Sequence, residues 1–281
     1  MKGIDVSKHQ GKIDWQKVKA AGIQFAIIRA GYGMYENQVD QQFDANMKGA
    51  KAAGIPVGVY WYSYAKTPAE AQKEAACCLG IIQPYREQIV LPVFFDQEYE
   101  PEIKAQTQAT RTEICQTFMQ AVQDAGYRSG LYCSYDWYMN WVDKRRLTQY
   151  PVWIAQYASQ CQYQGENLIV WQCSSKGRVD GISGNVDMDI GYDGLLQSNA
   201  KDGWVYDGPD VYLYENGQPV KNAWRKDGRW YYRLGPDGKM LTGLVEVDGK
   251  GYCLNQERKK VGGVYVPMGA CVITDSSGAI V

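Results

Sequence analysis

Eight short apolar runs recur through the first two thirds of the chain, and most are rich in valine, isoleucine or aromatic residues. Runs of this length and composition are typical of β-strands. Several are continuous rather than alternating, which favours strands that are buried on both faces of a sheet. The predicted strands span residues 3–6, 25–30, 57–62, 90–95, 129–133, 152–156, 169–172 and 186–190.

Amphipathic patterns separate these runs in the first half of the chain and predict helices, several of which close at a glycine. One of these helices is predicted to begin with Thr67 as its N-cap and Pro68 in its first turn. Strands that alternate with helices predict a parallel sheet, and about eight strands in one stretch favour a closed barrel. The other predicted helices span residues 15–21, 39–53 and 110–125.

The pattern becomes less regular after the fifth strand. Residues 138–147 predict one helix, but the links before the seventh and eighth strands are polar and glycine-rich and show no helical period. A parallel crossover with a helix needs about a dozen residues or more, which these links barely provide. We therefore predict an α/β fold, an irregular TIM-type barrel of about five βα units plus three further strands.

A different period begins beyond the barrel. Trp204, Trp224, Leu244 and Val264 follow one another at equal intervals along the chain. Asn-Gly and Asp-Gly pairs between tyrosine-rich runs indicate hairpins in the same region. The predicted organisation is a barrel domain at 1–194, a small polar linker at 195–202 and an all-β hairpin-repeat module at 203–281.

The composition argues against several classes of function. With 30 basic and 31 acidic side chains, the net charge of -1 gives no field that favours nucleic acid or a membrane surface. No apolar run approaches the roughly 20 residues of a membrane span. Eight cysteines without C-x-x-C spacing and one histidine do not indicate a metal site. We expect most cysteines to be buried free thiols, with disulfides as the alternative.

The segment at 90–98 carries the most informative chemistry. An apolar strand ends abruptly in Asp96 and Glu98, and residues two apart in a strand face the same side, with Cα atoms roughly 7 Å apart. Both would face the barrel mouth, where burial and mutual repulsion raise the pKa of at least one carboxyl. Glycoside cleavage needs such a pair, one protonated acid and one charged carboxylate. The alternative is a solvated rim without chemistry.

Two further strands bring acids toward the same place. Asp5 lies in the first strand and Asp187 and Asp189 lie in the last, and these strands are neighbours in a closed barrel. Together with Asp96 and Glu98, such acids could alternatively bind Mg²⁺ or Ca²⁺ through oxygen. Because no glycine-rich phosphate-binding motif is present, we favour the hydrolytic interpretation and expect no metal and no cofactor.

At these residues the sequence resembles glycoside hydrolase family 25, the Chalaropsis-type lysozymes. The opening at 3–15 resembles the family's first strand and loop, and 93–98 contains its Asp-x-Glu signature. The likeness covers residues 2–193. The other segments that resemble the family are 25–33, 153–157, 171–172 and 185–187.

The resemblance implies a lysozyme that hydrolyses the β-1,4 bond from N-acetylmuramic acid to N-acetylglucosamine in bacterial peptidoglycan. It implies Glu98 as general acid/base and Asp96 as the residue that orients the participating acetamido group or stabilises the oxocarbenium ion directly. Asp5 and Asp187 would complete the carboxylate ring. Asp189 lies where the family often has asparagine. Either its negative charge raises the pKa of Glu98 further, or its side chain points away from Glu98 and has no effect. Candidates for sugar contacts, with barrel packing as the alternative, are Tyr62, Tyr132, Trp153 and Gln172.

The tail resembles the cell-wall-binding repeats of choline- and glucan-binding proteins, as at 224–232 and 238–243. Aromatic cages of tryptophan and tyrosine hold quaternary ammonium groups through cation–π attraction. Leu244 and Val264 replace tryptophan in the later repeats, which degrades any cage. A wall polymer or choline is therefore one hypothesis for the ligand, and a structural or dimerising tail is the other.

Two functions from different classes follow from these patterns. The first is an active muramidase, and the second is a catalytically silent cell-wall carbohydrate-binding protein. The intact carboxylate set favours the first, because a pure binder has no need of mutually repelling acids. No apolar leader precedes the first strand, so we hypothesise a phage or prophage endolysin that reaches the extracellular wall through a holin pore.

Overall fold

The computed structural model describes residues 1–196 and much of the chain up to residue 271. Its internal contacts divide the chain into two compact units, Met1–Asn199 and Ala200–Val281. Most of the predicted linker, 197–202, lies outside the described residues. Beyond 196 the described ranges are 203–207, 210–215, 218–227, 230–247, 249–254, 258–261, 264–267 and 270–271.

Eight strands of the first unit close into a barrel in chain order, which confirms the predicted fold class. Seven of the eight agree closely with the predicted spans at both ends, and the seventh strand is longer than predicted. The strands are β1 (Lys2–Val6), β2 (Phe25–Tyr32), β3 (Val57–Tyr62), β4 (Ile89–Asp96), β5 (Ser129–Ser134), β6 (Val152–Ala155), β7 (Leu168–Gly177) and β8 (Val186–Gly191).

The last strand runs against the others, so the sheet is parallel only over its first seven strands. Strands β1 to β7 pair in parallel from each to the next, whereas β8 is antiparallel to both β7 and β1. The link from β7 to β8, 178–185, is too short for a crossover helix, so the chain turns back directly. The beginning of β8 therefore lies at the rim where the parallel strands end.

Five described α-helices lie outside the strands in the first unit. The predicted cap at Thr67 is present, since its side chain accepts the N–H of Glu70, and Thr107 caps the longest helix in the same way through Thr110. None of the described helices has the length and apolar character that would let it cross a bilayer. The helices are α1 (Trp15–Ala20), α2 (Phe43–Ala52), α3 (Pro68–Ile82), α4 (Pro101–Lys104) and α5 (Gln108–Asp124).

The prediction of one helix at 138–147 is wrong. A turn of π-helix spans Trp137–Trp141, and a separate 3₁₀ turn spans Lys144–Arg146. Two side chains of α5 form hydrogen bonds with main-chain groups that a continuous helix would use itself. Arg111 Nε donates to the Trp141 carbonyl at 2.8 Å, and Thr112 Oγ1 accepts the N–H of Asp143 at 2.8 Å.

Two apolar cores hold the barrel together. The larger one fills the layer between the strands and the helices, and the smaller one fills the barrel interior. Phe25, Phe94 and Trp153 belong to the inner core, and the Phe25 ring occupies the space where a side chain at Gly3 would stand. Leu195 is also fully buried in this core, so we now place the start of the proposed linker after it.

Six described cysteines are free thiols, and four of them are buried, in agreement with the interpretation that they act as small apolar residues. Burial raises the pKa of Cys78, Cys115 and Cys133, which makes these thiols unreactive as nucleophiles. The six are Cys77, Cys78, Cys115, Cys133, Cys161 and Cys173.

The second unit contains a series of short antiparallel strand pairs. The first three hairpins keep the period of the sequence repeat, both in the strands that open them and in the strands that close them. The strands are β9 (Gly203–Asp207), β10 (Asp210–Glu215), β11 (Gln218–Pro219), β12 (Ala223–Asp227), β13 (Trp230–Leu234), β14 (Gly243–Val247), β15 (Lys250–Leu254), β16 (Arg258–Val261), β17 (Val264–Pro267) and β18 (Ala270–Cys271).

Aromatic contacts between successive hairpins repeat with the same period. The Trp204 ring lies 4.6 Å from that of Tyr232, and the Trp224 ring lies 4.9 Å from that of Tyr252. Leu244, the next residue in this series, is 73% exposed. The repeat also changes after the third hairpin, because β17 pairs with β16 whereas β18 pairs with β15.

Candidate active site

One cavity of about 390 Å³ opens at the rim where the parallel strands end. It brings together all eight residues that the sequence nominated, although they come from strands that are far apart along the chain. Those eight are Asp5, Tyr62, Asp96, Glu98, Tyr132, Trp153, Gln172 and Asp187, and the cavity is completed by Ser7, His9, Gln10, Arg29, Tyr60 and Tyr157.

The end of β4 places two carboxyls in this cavity. Asp96 is the last residue of β4 and is almost fully buried, and its carbonyl accepts the N–H of Ser63 at 2.9 Å. Glu98 follows two residues later and is half-buried. No described residue donates a hydrogen bond to the Glu98 carboxyl. Strand alternation thus directs both acids to the mouth, but only Asp96 lies within the regular strand.

The two carboxyls differ in their electrostatic surroundings. Burial raises the pKa of Glu98, and the charges of Glu100 and Asp187 raise it further. Burial also raises the pKa of Asp96, and the Glu98 charge adds to this, but the Arg29 guanidinium opposes it. When Glu98 is protonated its effect on Asp96 disappears, and Arg29 then favours the negative charge on Asp96.

Strands β1 and β8 bring a second group of acids together. Asp5 is paired with Asp187 and Gly3 with Asp189 in the antiparallel register. Burial raises the pKa of Asp5, and the charges of Asp189 and Asp187 raise it further. Asp189 is buried on the barrel floor, where Oδ1 accepts the Trp153 indole N–H at 2.9 Å. Its charge therefore acts mainly on Asp5 and not on Glu98.

Gln172 connects Asp5 to two tyrosines of the cavity. Its Nε2 donates to Asp5 Oδ2 at 2.8 Å, and its Oε1 accepts the hydroxyls of Tyr132 at 3.1 Å and Tyr157 at 3.0 Å. This network fixes the orientation of one Asp5 oxygen, since the amide nitrogen has to face it. Gln172 and Tyr132 are almost fully buried, whereas Tyr157 is 60% exposed at the mouth.

The other two predicted sugar contacts lie at different depths. The hydroxyl of Tyr62 donates to Glu100 Oε1 at 2.7 Å, and its ring is half-buried at the rim. Trp153 is 1% exposed, and its ring packs against Tyr132 and Phe94 on the barrel floor. Tyr62 is therefore accessible at the mouth, whereas Trp153 forms part of the floor beneath it.

Comparison with known proteins gives this site a family. The profile described as Glycosyl hydrolases family 25 matches residues 4–182, which is more than half of the chain. The chain belongs to this family. The matched segment includes Asp96, Glu98 and the cavity residues of β1 to β7, and it ends shortly before β8.

Relatives of this family 25 chain include named lysozymes. An autolytic lysozyme of Clostridium acetobutylicum is 27% identical over 197 residues, which are 70% of this chain and 57% of that protein. Lysozyme M1 of Streptomyces globisporus is 28% identical over 198 residues, which are 66% of both chains. Among solved structures, the modular autolysin LytC from Streptococcus pneumoniae is 27% identical with a TM-score of 0.61, covering 68% of this chain and 46% of that one. The chain thus spans about half to two thirds of these proteins.

Arg29 is one of the cavity residues of this family 25 barrel that sequence reasoning missed. Its Nε donates to Asp40 Oδ2 at 2.7 Å, and its Nη2 is buried without a partner among the described residues. Phe25 and Ile27 point into the barrel from the same strand, so two-residue alternation already places Arg29 inside. A cation on the inner face of a buried strand was the signal that could have identified it.

The alternative of a metal site has no geometric support in the described part of the chain. No group of three or more histidine, cysteine, aspartate or glutamate side chains there has the arrangement needed to hold an ion. Three acids in or beneath the family 25 cavity instead lie against neutral or cationic groups. Gln172 faces Asp5, the Trp153 indole faces Asp189, and Arg29 lies near Asp96.

Proposed function

We propose that this barrel is an N-acetylmuramidase, a lysozyme that hydrolyses the β-1,4 bond from N-acetylmuramic acid to N-acetylglucosamine in peptidoglycan. One observation carries the proposal. Glu98 has a raised pKa and no hydrogen-bond donor among the described residues, and it lies two residues from an aspartate that a guanidinium accompanies. Such an asymmetric pair supplies an acid and an anion at the same pH.

In the first step Glu98 donates its proton to the glycosidic oxygen as the bond from that oxygen to the anomeric carbon breaks. Positive charge then develops on the sugar that keeps the anomeric carbon, and the Asp96 carboxylate stabilises that charge on the ring or on a participating acetamido group. Glu98, now ionised, accepts a proton from the water that attacks the anomeric carbon. This second step restores the acid and completes the hydrolysis.

The remaining cavity residues support binding rather than proton transfer. Asp96 Oδ1 and Arg29 Nη2 have no partner among the described residues, so they are the polar atoms that sugar hydroxyls are expected to satisfy. Tyr62 and Tyr157 present ring surface and hydroxyls at the rim, which suits the mixed apolar and polar surface of a sugar. The charge of Asp187 raises the pKa of Glu98, and Asp5 lies opposite Asp187 in the strand pairing.

The names of relatives support peptidoglycan as the substrate. The relatives from Clostridium acetobutylicum and Streptomyces globisporus are named lysozymes, and LytC has been solved in complex with a synthetic peptidoglycan ligand. An endolysin, CTP1L, is 26% identical with a TM-score of 0.59. We accordingly propose the bacterial cell wall as the place of action. Release through a holin and retention by the tail through a wall polymer or choline stay predictions.

The test is to digest purified Gram-positive cell walls, reduce the products with borohydride and identify the new reducing ends. Wild-type protein should yield reduced N-acetylmuramic acid and clear a wall suspension. Glu98→Gln should lower this activity by roughly 10³-fold or more, because it cannot donate the proton. Glu113→Gln, an exposed change of the same charge on α5, is the matched control and should remain active.

Two outcomes would contradict the proposal in different ways. Reduced N-acetylglucosamine ends instead of muramic ends would show that the bond is assigned incorrectly. Failure of the wild type to release any reducing end, while it still sediments with the walls, would favour the catalytically silent carbohydrate-binding protein.

A further inference from the structure

Glu98 lies beyond the last residue of β4, and its carboxyl has no hydrogen-bond partner among the described residues. A general acid has to be placed closely, since a misplacement of about 1 Å costs roughly 10²-fold in rate. The position of this carboxyl therefore depends on what holds the main chain on each side of it. Gln97 and Tyr99, the two neighbours of Glu98 in the sequence, make the contacts that fix the main chain there.

Gln97 points away from the cavity, into the layer between β4 and the helices. It is fully buried, and its Oε1 accepts the Trp137 indole N–H at 3.0 Å and the Cys115 thiol at 3.2 Å. Its backbone N–H donates to the Tyr132 carbonyl at 3.1 Å. The residue before the proposed acid is thus fixed at both its main chain and its side chain.

Tyr99 fixes the other side. Its ring meets the Trp137 ring edge-on, with centroids 4.9 Å apart, and its hydroxyl donates to Asp136 Oδ2 at 2.7 Å. The Trp137 indole is itself stacked on Trp141 at 5.2 Å with an angle of 6° between the planes. One buried indole therefore contacts both sequence neighbours of Glu98.

The two ends of the Gln97 amide differ in their contacts. Its Oε1 receives two donors, whereas its Nε2 is buried without a partner among the described residues. The contacts of the oxygen therefore hold this side chain in place, and a change at Trp137 removes one of the two.

We propose that Trp137 is a positioning residue for Glu98, holding the acid's main chain in place through Gln97 on one side and Tyr99 on the other. This inference rests on the proposed muramidase function. Trp137 is not among the residues that line the cavity, so it acts only through its neighbours. The π-helical turn that carries it, Trp137–Trp141, presents the indole to both of them.

The test is Trp137→Phe, which keeps an aromatic ring for Tyr99 but removes the N–H donated to Gln97. The matched control is Trp61→Phe. Trp61 is equally buried and donates its indole N–H at the same 3.0 Å, but to the Gly33 carbonyl rather than to the acid-bearing segment. Both variants lose one indole hydrogen bond, so a general loss of stability affects them alike.

Steady-state kinetics on soluble peptidoglycan fragments gives the first readout. Trp137→Phe should lower kcat by roughly 10-fold to 10²-fold with KM within about twofold, because the acid is misplaced while the sugar sites remain. Trp61→Phe should keep kcat within about threefold. Equal kcat in the two variants would overturn the positioning role, provided that thermal melts show both to be folded.

A carboxyl NMR titration of Glu98 gives a second readout that needs no turnover. Loosening the segment should hydrate the carboxyl and move its pKa down toward the ordinary range in Trp137→Phe but not in Trp61→Phe. An unchanged Glu98 titration would count against the proposal even in an active enzyme. A wild type that cleaves no peptidoglycan, but whose Glu98 titration still responds to Trp137→Phe, would refute the muramidase function and leave the positioning contact standing.

Discussion

The barrel brings together side chains that are far apart along the sequence, whereas the hairpin tail repeats one contact between successive hairpins. In the barrel, Asp5 and Asp187 become neighbours although they come from opposite ends of the domain's sequence, because the first and last strands close the sheet. In the tail, each tryptophan contacts a tyrosine of the next hairpin, and the same contact recurs one repeat later. The acids of the barrel therefore meet in a single cavity, whereas the ring contact of the tail is one of a series, and the series has no ring at Leu244.

The largest expected effect is in the barrel. Asp96→Asn should lower kcat on soluble peptidoglycan fragments by roughly 10²-fold to 10³-fold, because the developing positive charge loses its carboxylate. Asp189→Asn is the control, since asparagine Oδ1 can still accept the Trp153 N–H on the floor, and its kcat should stay within a few-fold. Near-normal turnover by Asp96→Asn would show that Asp96 contributes no more to catalysis than the buried Asp189.

The next effect concerns stability away from the cavity. Glu74 of α3 is fully buried, accepts the Tyr64 N–H at 2.8 Å and has its pKa raised by burial to about 7. Because the folded protein binds this proton more tightly than the unfolded chain, the stability it contributes is present below about pH 4.5 and is lost as the pH rises to about 7. The loss over this window amounts to about 3 kcal/mol.

Denaturant unfolding at several pH values measures this effect. Relative to Glu74→Gln, the wild-type free energy of unfolding should fall between about pH 4.5 and pH 7, because glutamine does not titrate. Glu113→Gln, an exposed position on α5, should follow the wild-type curve. Parallel pH curves for wild type and Glu74→Gln would show that Glu74 does not hold its proton in the folded barrel.

A smaller effect is expected on the pH dependence of catalysis. The charge of Glu100 raises the pKa of Glu98, so Glu100→Gln should move the alkaline decline of kcat to lower pH by about half a unit. Glutamine can still accept the Tyr62 hydroxyl through its oxygen. Glu102→Gln makes the same charge change two residues away and should leave the pH profile of kcat unchanged. A shift of equal size in both variants would show that the net charge of the protein, and not the position of Glu100, sets the effect.

The smallest effect is expected in the tail. Trp224→Leu should weaken sedimentation with cell walls by about twofold to fivefold, since it removes one of the two described Trp–Tyr pairs between successive hairpins. It should leave turnover of soluble fragments unchanged. Tyr231→Leu, which removes an exposed ring outside these pairs, is the control for the binding assay. A loss of soluble-fragment turnover in Trp224→Leu would show that the substitution acts on the barrel and not on wall retention alone.

The strands and the gathering of acids could be predicted because both follow from local pattern plus closure of the sheet. The direction of β8 could not, since a strand has the same alternation read either way. Asp187 reaches the mouth because it lies near the start of a reversed strand; in a parallel strand the same position would lie at the opposite rim. Asp5 and Asp187 thus converge because β8 is antiparallel to β1, and the sequence pattern did not indicate that direction.

Two other features depended on contacts that sequence patterns do not show. The helix predicted at 138–147 ends early because Arg111 and Thr112 take its backbone groups, and these residues lie far from it along the chain. Tyr157 is placed in the cavity by its bond to Gln172, although it lies in the loop after β6. Local propensity does not report competition of this kind from distant side chains.

The reversed β8 also determines where the barrel's chain begins and ends. The Met1 amino group donates to the Gly191 carbonyl at 2.7 Å, so β1 starts and β8 finishes side by side, at the rim opposite the carboxylates. A short peptide could therefore join these two points, and new termini could be opened in a surface loop of the barrel without moving the cavity carboxylates.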